Sequence, residues 1–162
     1  MQRLARVAYS TLLRLAVPAY VLKLWLRGRA EPLYRFAIGE RFGWYRFERR
    51  SDPPSSGWVW VHAVSLGETR AASALVNALR ELRPGMRLLL THGTATGRTA
   101  GATLLRPGDR QVWLPFDTPG SVARFLAHFQ PAIGVLMETE IWPNLLLEAS
   151  RRGIPTVLAN AR

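Results

Sequence analysis

The chain has 162 residues and is 48% hydrophobic, enough to bury the core of one α/β domain and short for two. It has no cysteine, which excludes disulfides, thiolate metal sites and a cysteine nucleophile, and its three histidines (His62, His92, His128) show no metal-ligand spacing. The net charge of +11 is uneven: residues 1–50 hold 11 Lys/Arg against 3 acids, and Lys23 is the only lysine, so an arginine-rich arm leaves both nucleic acid and anionic lipid open as partners.

Residues 4–26 are the most apolar stretch and are predicted to be one helix. Arg3, Arg6, Ser10 and Arg14 fall within an arc about 80° wide at about 100° per residue, and the opposite side carries Leu, Val, Tyr and Trp. Arg14 and Lys23 interrupt what would otherwise be a clean span of about 20 apolar residues, and no small-residue cleavage site follows, as a signal peptide would require. The reading is a membrane anchor over 1–28, a helix in the lipid interface with arginines at the headgroups and Trp25 as a belt residue. Pro18 is expected to kink it. An ordinary amphipathic helix packed on its own domain is the alternative.

Residues 29–57 read as a basic connector. Arg29, Arg35, Arg41, Arg46, Arg49 and Arg50 alternate with Tyr34, Phe36, Phe42, Trp44, Tyr45 and Phe47. Such a pattern stacks single-stranded bases or sits among phosphates at a membrane surface, and the apolar stretch before it favours the membrane. Gly39-Glu-Arg-Phe-Gly43 is a short polar turn, in the plain case a helix end with a glycine cap. Ser51-Asp-Pro-Pro-Ser-Ser-Gly57 has linker composition and marks a domain boundary.

From residue 58 the pattern turns regular. Strands are predicted at 58–64, 87–91, 111–115, 132–137 and 155–159, alternating with helices at about 68–82, 97–105, 119–129 and 142–151. The helix at 119 is entered through Asp117-Thr118-Pro119, a cap residue followed by proline at the first helical position. Continuous apolar strands alternating with helices imply right-handed crossovers and a parallel, doubly wound, Rossmann-like α/β sheet over 58–162.

Ligands of such sheets bind beyond the carboxyl ends of the strands. That edge should hold Ser65-Leu-Gly67-Glu68, then Thr91-His-Gly-Thr94-Ala-Thr96-Gly97, then Phe116-Asp-Thr118, Glu138-Thr-Glu140 and Asn160-Ala-Arg162. There is neither a GxGxxG fingerprint nor a Walker lysine. Glu68 reads in the plain case as a helix-start acid; aimed into a cleft it would take a proton from a sugar or alcohol hydroxyl. Two acids directly after an apolar strand, Glu138 and Glu140, are solvated, paired or functional. A metal held by Glu68, Glu138 and Glu140 is conceivable but not required by the spacing, and a glycosidase pair has no special pointer. Thr94, Thr96 and Gly97 would offer hydroxyls and free amides to an anion or sugar, with His92 as a loop hydrogen-bonder. A sheet edge that stops at Asn160-Ala-Arg162 with no following helix leads us to expect further chain.

With these residues laid out, the chain resembles the N-terminal half of the Kdo (3-deoxy-D-manno-octulosonic acid) transferases of lipopolysaccharide synthesis. The likeness runs through the apolar anchor, Gly39-Glu-Arg-Phe-Gly43, Val61-His-Ala-Val-Ser-Leu-Gly-Glu68, Leu114-Pro-Phe-Asp117, Met137-Glu-Thr-Glu-Ile-Trp-Pro-Asn144 and Leu158-Ala-Asn-Ala-Arg162. The family commonly has Thr-Pro-Thr-Gly where this chain reads Thr94-Ala-Thr-Gly97. The resemblance implies the N-terminal domain of a GT-B fold and transfer of Kdo from CMP-Kdo to a lipid A precursor (lipid IVA), inverting, with no metal and no cofactor. It implies residence at the cytoplasmic face of the inner membrane and no nucleic-acid partner. Glu68 matches the family's proposed general base and Glu138 its second essential carboxylate; Ser65, Gly67, Glu140, Arg41, Thr94, Thr96 and Gly97 are cleft candidates. The C-terminal domain that would hold CMP-Kdo is expected to lie outside these 162 residues, so this half alone is expected to be inactive. A non-catalytic, membrane-bound module that docks the lipid acceptor is the rival reading.

Overall fold

The structure, a computed structural model, describes residues 2–45, 57–138 and 141–160. Arg46, Phe47, Arg49, Arg50, most of the 51–57 linker, Glu140 and Arg162 lie outside the described residues, as does the side chain of Arg3.

The regular half follows the apolar pattern closely. Strands β1 (Val59–His62), β2 (Leu88–His92), β3 (Arg110–Trp113), β4 (Ile133–Met137) and β5 (Thr156–Ala159) alternate with helices α2 (Leu66–Leu82), α3 (Ala95–Ala102), α4 (Pro119–Phe129) and α5 (Pro143–Arg151), after an N-terminal helix α1 (Gln2–Arg27). All five strands are parallel, in the order β3-β2-β1-β4-β5. The chain therefore builds outward from β1 to β3, returns through α4, and builds the other way through β4 and β5. β1 and β4 are neighbours, with Val61 opposite Val135 and His62 opposite Leu136, and the reversal of winding falls between them.

Because successive strand residues face opposite sides, an unbroken apolar strand supplies two cores. Trp58, Trp60, Leu89, Val112 and Leu136 pack with Phe125, Leu126, Phe129 and Leu145 of α4 and α5. Val59, Val61, Leu88, Leu90, Val135 and Met137 pack with Ala72 and Val76 of α2. The result is a three-layer α/β/α domain in which, among the described strands, β5 at one edge is the exposed one.

The arm before the domain departs from the sequence reading in two ways. First, α1, which runs through Pro18 as one helix, turns the middle of its polar arc toward the domain. Ser10 is buried and donates to Asn144 Oδ1 at 3.2 Å, Tyr9 donates to Asp117 Oδ2 at 3.0 Å, and Arg6 and Arg14 line a cavity against α5. Farther along, Tyr20 meets Phe116 edge-on and Leu24 is buried with Tyr34 and Ala95. Thus α1 lies on the carboxyl edge of the sheet through a narrow stripe, and the wide face left outside is the apolar one, with Leu4, Val7, Leu12, Leu15, Leu22 and Trp25 between 46 and 76% exposed. The helix is long and apolar enough to cross a membrane by length and composition. Within the polar arc the domain gives Ser10 a hydrogen-bonding partner, while Arg14 stays exposed.

Second, the described part of the basic connector is packed, not splayed. It forms two 3-10 turns, Pro32–Arg35 and Ile38–Phe42. Tyr34 stacks on Trp113, Phe42 meets Phe116, and Tyr45 packs on Phe125, His128 and Phe129. Its aromatics mostly serve the domain, although Phe36 and Trp44 stay exposed. The second turn does end on the expected glycine cap. Gly43 has φ +75°, and a Cβ there would come within 2.5 Å of Ser121 O, so both conformation and contact require glycine.

Candidate active site

In an open sheet wound in two directions, the loops at the reversal part company and leave a crevice at the carboxyl ends. Here that crevice lies beyond β1 and β4, and an acid follows each strand.

After β1, Ser65 is the N-cap of α2 and Glu68 stands in the first turn. The Ser-x-x-Glu spacing is that of a capping box. Ser65 Oγ accepts from the Glu68 N–H at 3.4 Å and donates to Glu68 Oε1 at 2.9 Å, while Glu68 Oε2 accepts from the Val64 N–H at 2.7 Å. The carboxylate is thereby folded back over the end of β1 with a fixed orientation, and each oxygen retains a second lone pair. Glu68 is 6% exposed, while Gly67 beside it is exposed and a Cβ there would meet only Ser65 Oγ, at 3.9 Å. The space over Gly67 is open.

After β2, the loop is locked against this turn. Thr94, the N-cap of α3, donates to Val64 O at 2.9 Å and accepts from the Gly97 N–H at 3.2 Å. Gly97 is buried where a Cβ would lie 2.9 Å from Val64 O, so glycine permits the two helix starts to approach. Thr96 is exposed at the same start. His92 is fully buried: Nδ1 donates to Ala63 O at 2.8 Å and Nε2 accepts from the Gln111 amide at 2.9 Å. Burial lowers its pKa to about 4 and that of His62, whose Nδ1 meets Thr91, to about 3, so both are neutral structural groups.

Arg41 is buried at 3% and points at this loop, not into open space. Its guanidinium lies 4.2 Å over the Trp113 ring and donates to Gly93 O at 3.1 Å; burial lowers its pKa to about 10. Its neighbour Glu40 accepts from Arg98 at 3.0 Å and from the Trp113 N–H at 2.8 Å. The Gly39–Gly43 motif thus clamps β3 and α3, a job its sequence did not reveal.

After β4, Glu138 is exposed and takes φ +60°, its N–H donating to Ala159 O at 2.8 Å. A glutamate in the left-handed region costs about 1 kcal/mol or more. It sits two residues beyond the Leu136–His62 pair, alongside Val64, whose N–H holds the Glu68 carboxylate. Adjacent strands are about 4.8 Å apart, so the two acids occupy neighbouring strand tips. Among the described residues no group of three or more His, Asp or Glu is arranged to hold a metal ion.

One keystone escaped sequence reading. As expected, α4 is entered through its N-cap Thr118 and Pro119, but the Asp117 side chain caps the start of α5. Its Oδ2 accepts from the Asn144 N–H at 3.0 Å and its Oδ1 from the Leu145 N–H at 2.8 Å, while Tyr9 of α1 donates to Oδ2. Asp117 therefore joins the loop after β3, the helix after β4 and α1. Burial raises its pKa, and these bonds oppose that rise.

The family described as 3-Deoxy-D-manno-octulosonic-acid transferase (kdotransferase) matches residues 37–162. The chain belongs to the Kdo transferase family. It is 46% identical over 165 residues to the 3-deoxy-D-manno-octulosonic acid transferase of Bordetella pertussis, an alignment covering 98% of this chain and 38% of that relative. With the protein of the same name from Haemophilus influenzae it shares 36% identity over 157 residues, 97% of this chain and 36% of that relative. A probable mitochondrial 3-deoxy-D-manno-octulosonic acid transferase of Arabidopsis thaliana is 39% identical over 123 residues, 76% of this chain and 27% of its own length. The chain thus spans well under half the length of these Kdo transferases.

Proposed function

We propose that this chain forms the acceptor side of a glycosyltransferase that moves Kdo from CMP-Kdo to a lipid A precursor, lipid IVA, at the cytoplasmic face of the inner membrane. Residues 58–162 act as the acceptor domain of a GT-B architecture, α1 as the membrane anchor, and the further length present in the relatives as the donor domain. The acceptor hydroxyl lies over Gly67 and passes its proton to Glu68. Its oxygen forms a bond to the anomeric carbon of Kdo as the bond from that carbon to the CMP phosphate breaks, with inversion. Glu138 is the second essential carboxylate, across the crevice. Ser65 and Thr94 hold the two helix starts, and Arg41 holds the loop between them.

The observation that carries this reading is the pairing of an oriented, nearly buried Glu68 with a left-handed Glu138 on adjacent strand tips at the winding reversal. The membrane assignment is supported by the exposed apolar face of α1.

A second reading has its own support. Both Glu68 oxygens are already used in the capping box, as they would be in a docking module without chemistry. Glu68→Gln in a chain extended with the relatives' remaining length separates the two. The amide still accepts from Val64, and its NH2 can donate to Ser65. Loss of a general base should lower Kdo transfer about 10²- to 10⁴-fold while leaving acceptor binding and the melting temperature near wild type. Transfer at the wild-type rate would end the base assignment.

A further inference from the structure

Between α1 and α5 lies a cavity of about 200 Å³ that the transfer reaction does not use. Arg6, Ser10 and Arg14 of α1 line it on one side and Asn144, Glu148 and Arg151 of α5 on the other. On a helix positions 6, 10 and 14 fall on one stripe, so Arg6 and Arg14 stand about 12 Å apart along the axis. The Ser10–Asn144 hydrogen bond pins the stripe at its middle.

The charges in this cavity are poorly balanced. Among the described residues neither Arg6 nor Arg14 has a carboxylate partner. Glu148 is the one acid in the wall, and it is divided: its Oε1 takes Arg152 at 2.9 Å, leaving Arg151 at 3.8 Å from Oε2. The carboxylate is thus taken by Arg152 and, more loosely, Arg151, and Arg6 and Arg14 line the same cavity without one. Arginine forks match phosphate oxygens two at a time. At roughly 30 Å³ per water, the cavity has room for a phosphate and its ester substituent.

The surroundings indicate where that phosphate comes from. Val7 belongs both to the cavity wall and to the exposed apolar face of α1, and Leu4, Leu12 and Leu15 continue that face. A ligand with an anionic head in the cavity would have an apolar track beside it for its chains.

We propose that the α1–α5 cavity binds the phosphate headgroup of a membrane lipid, at a place none of whose lining residues belongs to the Glu68–Glu138 crevice. The site would fix how α1, and with it the crevice, sits relative to the lipid surface. The choice of a lipid over free phosphate rests on the membrane association proposed above; the cavity's affinity for phosphate does not.

The test uses the chain in a neutral detergent, titrated separately with short-chain phosphatidylglycerol and with inorganic phosphate. Retention of lipid is read by native mass spectrometry and binding of phosphate by calorimetry. Wild type should retain one phosphatidylglycerol per chain. Arg6→Gln/Arg14→Gln should weaken this at least tenfold, whereas Arg83→Gln/Arg106→Gln, which removes equal charge from exposed positions elsewhere, should leave it unchanged. Far-UV circular dichroism checks the fold, and Arg14→Gln alone gives a milder variant expected to weaken retention severalfold. Equal loss in both double variants, or loss in neither, would overturn the proposal. Inorganic phosphate binding as tightly as the lipid, with the same dependence on Arg6 and Arg14, would keep the phosphate site and overturn its assignment to lipid. Flotation with neutral phosphatidylcholine vesicles reads membrane association by itself: wild type that fails to float sinks the membrane reading while the phosphate titration still judges the site.

Discussion

Asp117→Ala is the substitution that tests most of the architecture at once. Asp117 receives two backbone N–H groups at the start of α5 and the Tyr9 hydroxyl of α1. Removing a side-chain cap costs typically about 1 kcal/mol and up to about 2. Asp117 and Asn144 are both nearly excluded from solvent, at 2 and 5% exposed, so stranded N–H groups there cost more than at a surface cap, about 1–3 kcal/mol each. Tyr9 is only half-buried, and water can replace its partner. Relief of the desolvated carboxylate offsets part of the loss. The net expectation is about 2–4 kcal/mol of destabilisation, with Asp117→Asn, which retains one acceptor oxygen, near half that. Urea unfolding in neutral detergent measures the total, and amide exchange at Asn144 and Leu145 locates it. Tyr9→Phe should cost about 1 kcal/mol and expose α1 without raising exchange at Leu145. If Asp117→Ala changed stability by less than about 0.5 kcal/mol and left both amides protected, the keystone assignment would be refuted.

Three other expectations follow from the same geometry. Arg80 pairs with Asp109 in a buried ion pair that also holds the Leu88 and Arg106 N–H groups, at the end of the sheet away from the crevice. Arg80→Gln strands that carboxylate and should cost about 3–5 kcal/mol, yet well below the melting temperature Kdo transfer by the extended chain should keep its wild-type kcat. Gly97→Ala places a methyl against Val64 O, and should push the α3 start from the Glu68 turn, costing about 1–3 kcal/mol and lowering transfer more than stability alone explains. The buried histidines give a pH dependence. Their folded values of about 3 and 4 lie below the ordinary 6.5, so their contribution is complete above 6.5 and is lost as pH falls toward those values, by about 1.4 kcal/mol per pH unit for each. His92→Gln, which retains a donor and an acceptor, should flatten the acid limb of a stability-against-pH curve; an unchanged slope would show that His92 takes up no proton on unfolding.

Much of the domain was legible along the chain because the information is local. A short, β-branched and aromatic run such as Val59–His62 that lacks alternation reads as a strand covered on both faces, and most helix starts carry a cap residue or proline close by. The acids were legible for the same reason: Glu68 and Glu138 follow the end of a strand in sequence, and a parallel sheet places every strand end on one edge. By itself, then, the sequence determined the parallel α/β layers, their carboxyl edge, and two carboxylates that follow strands on that edge.

What it left open depends on partners distant in sequence. Asp117 reads locally only as part of the Asp117-Thr118-Pro119 entry to α4; the folded chain brings it to Asn144, 27 residues on, and to Tyr9, 108 residues back. Arg41 reads as a cation for a cleft, and folding buries it on Trp113 and Gly93. The arc of Arg6, Ser10 and Arg14 reads as the wet side of a membrane helix, because a helical wheel records which residues share a face and not what that face meets. The tertiary structure set the middle of that face, at Ser10, against α5 and left the apolar side outward. It also decided that the winding reverses between β1 and β4, which is why Glu68 and Glu138, 70 residues apart in the chain, follow neighbouring strands.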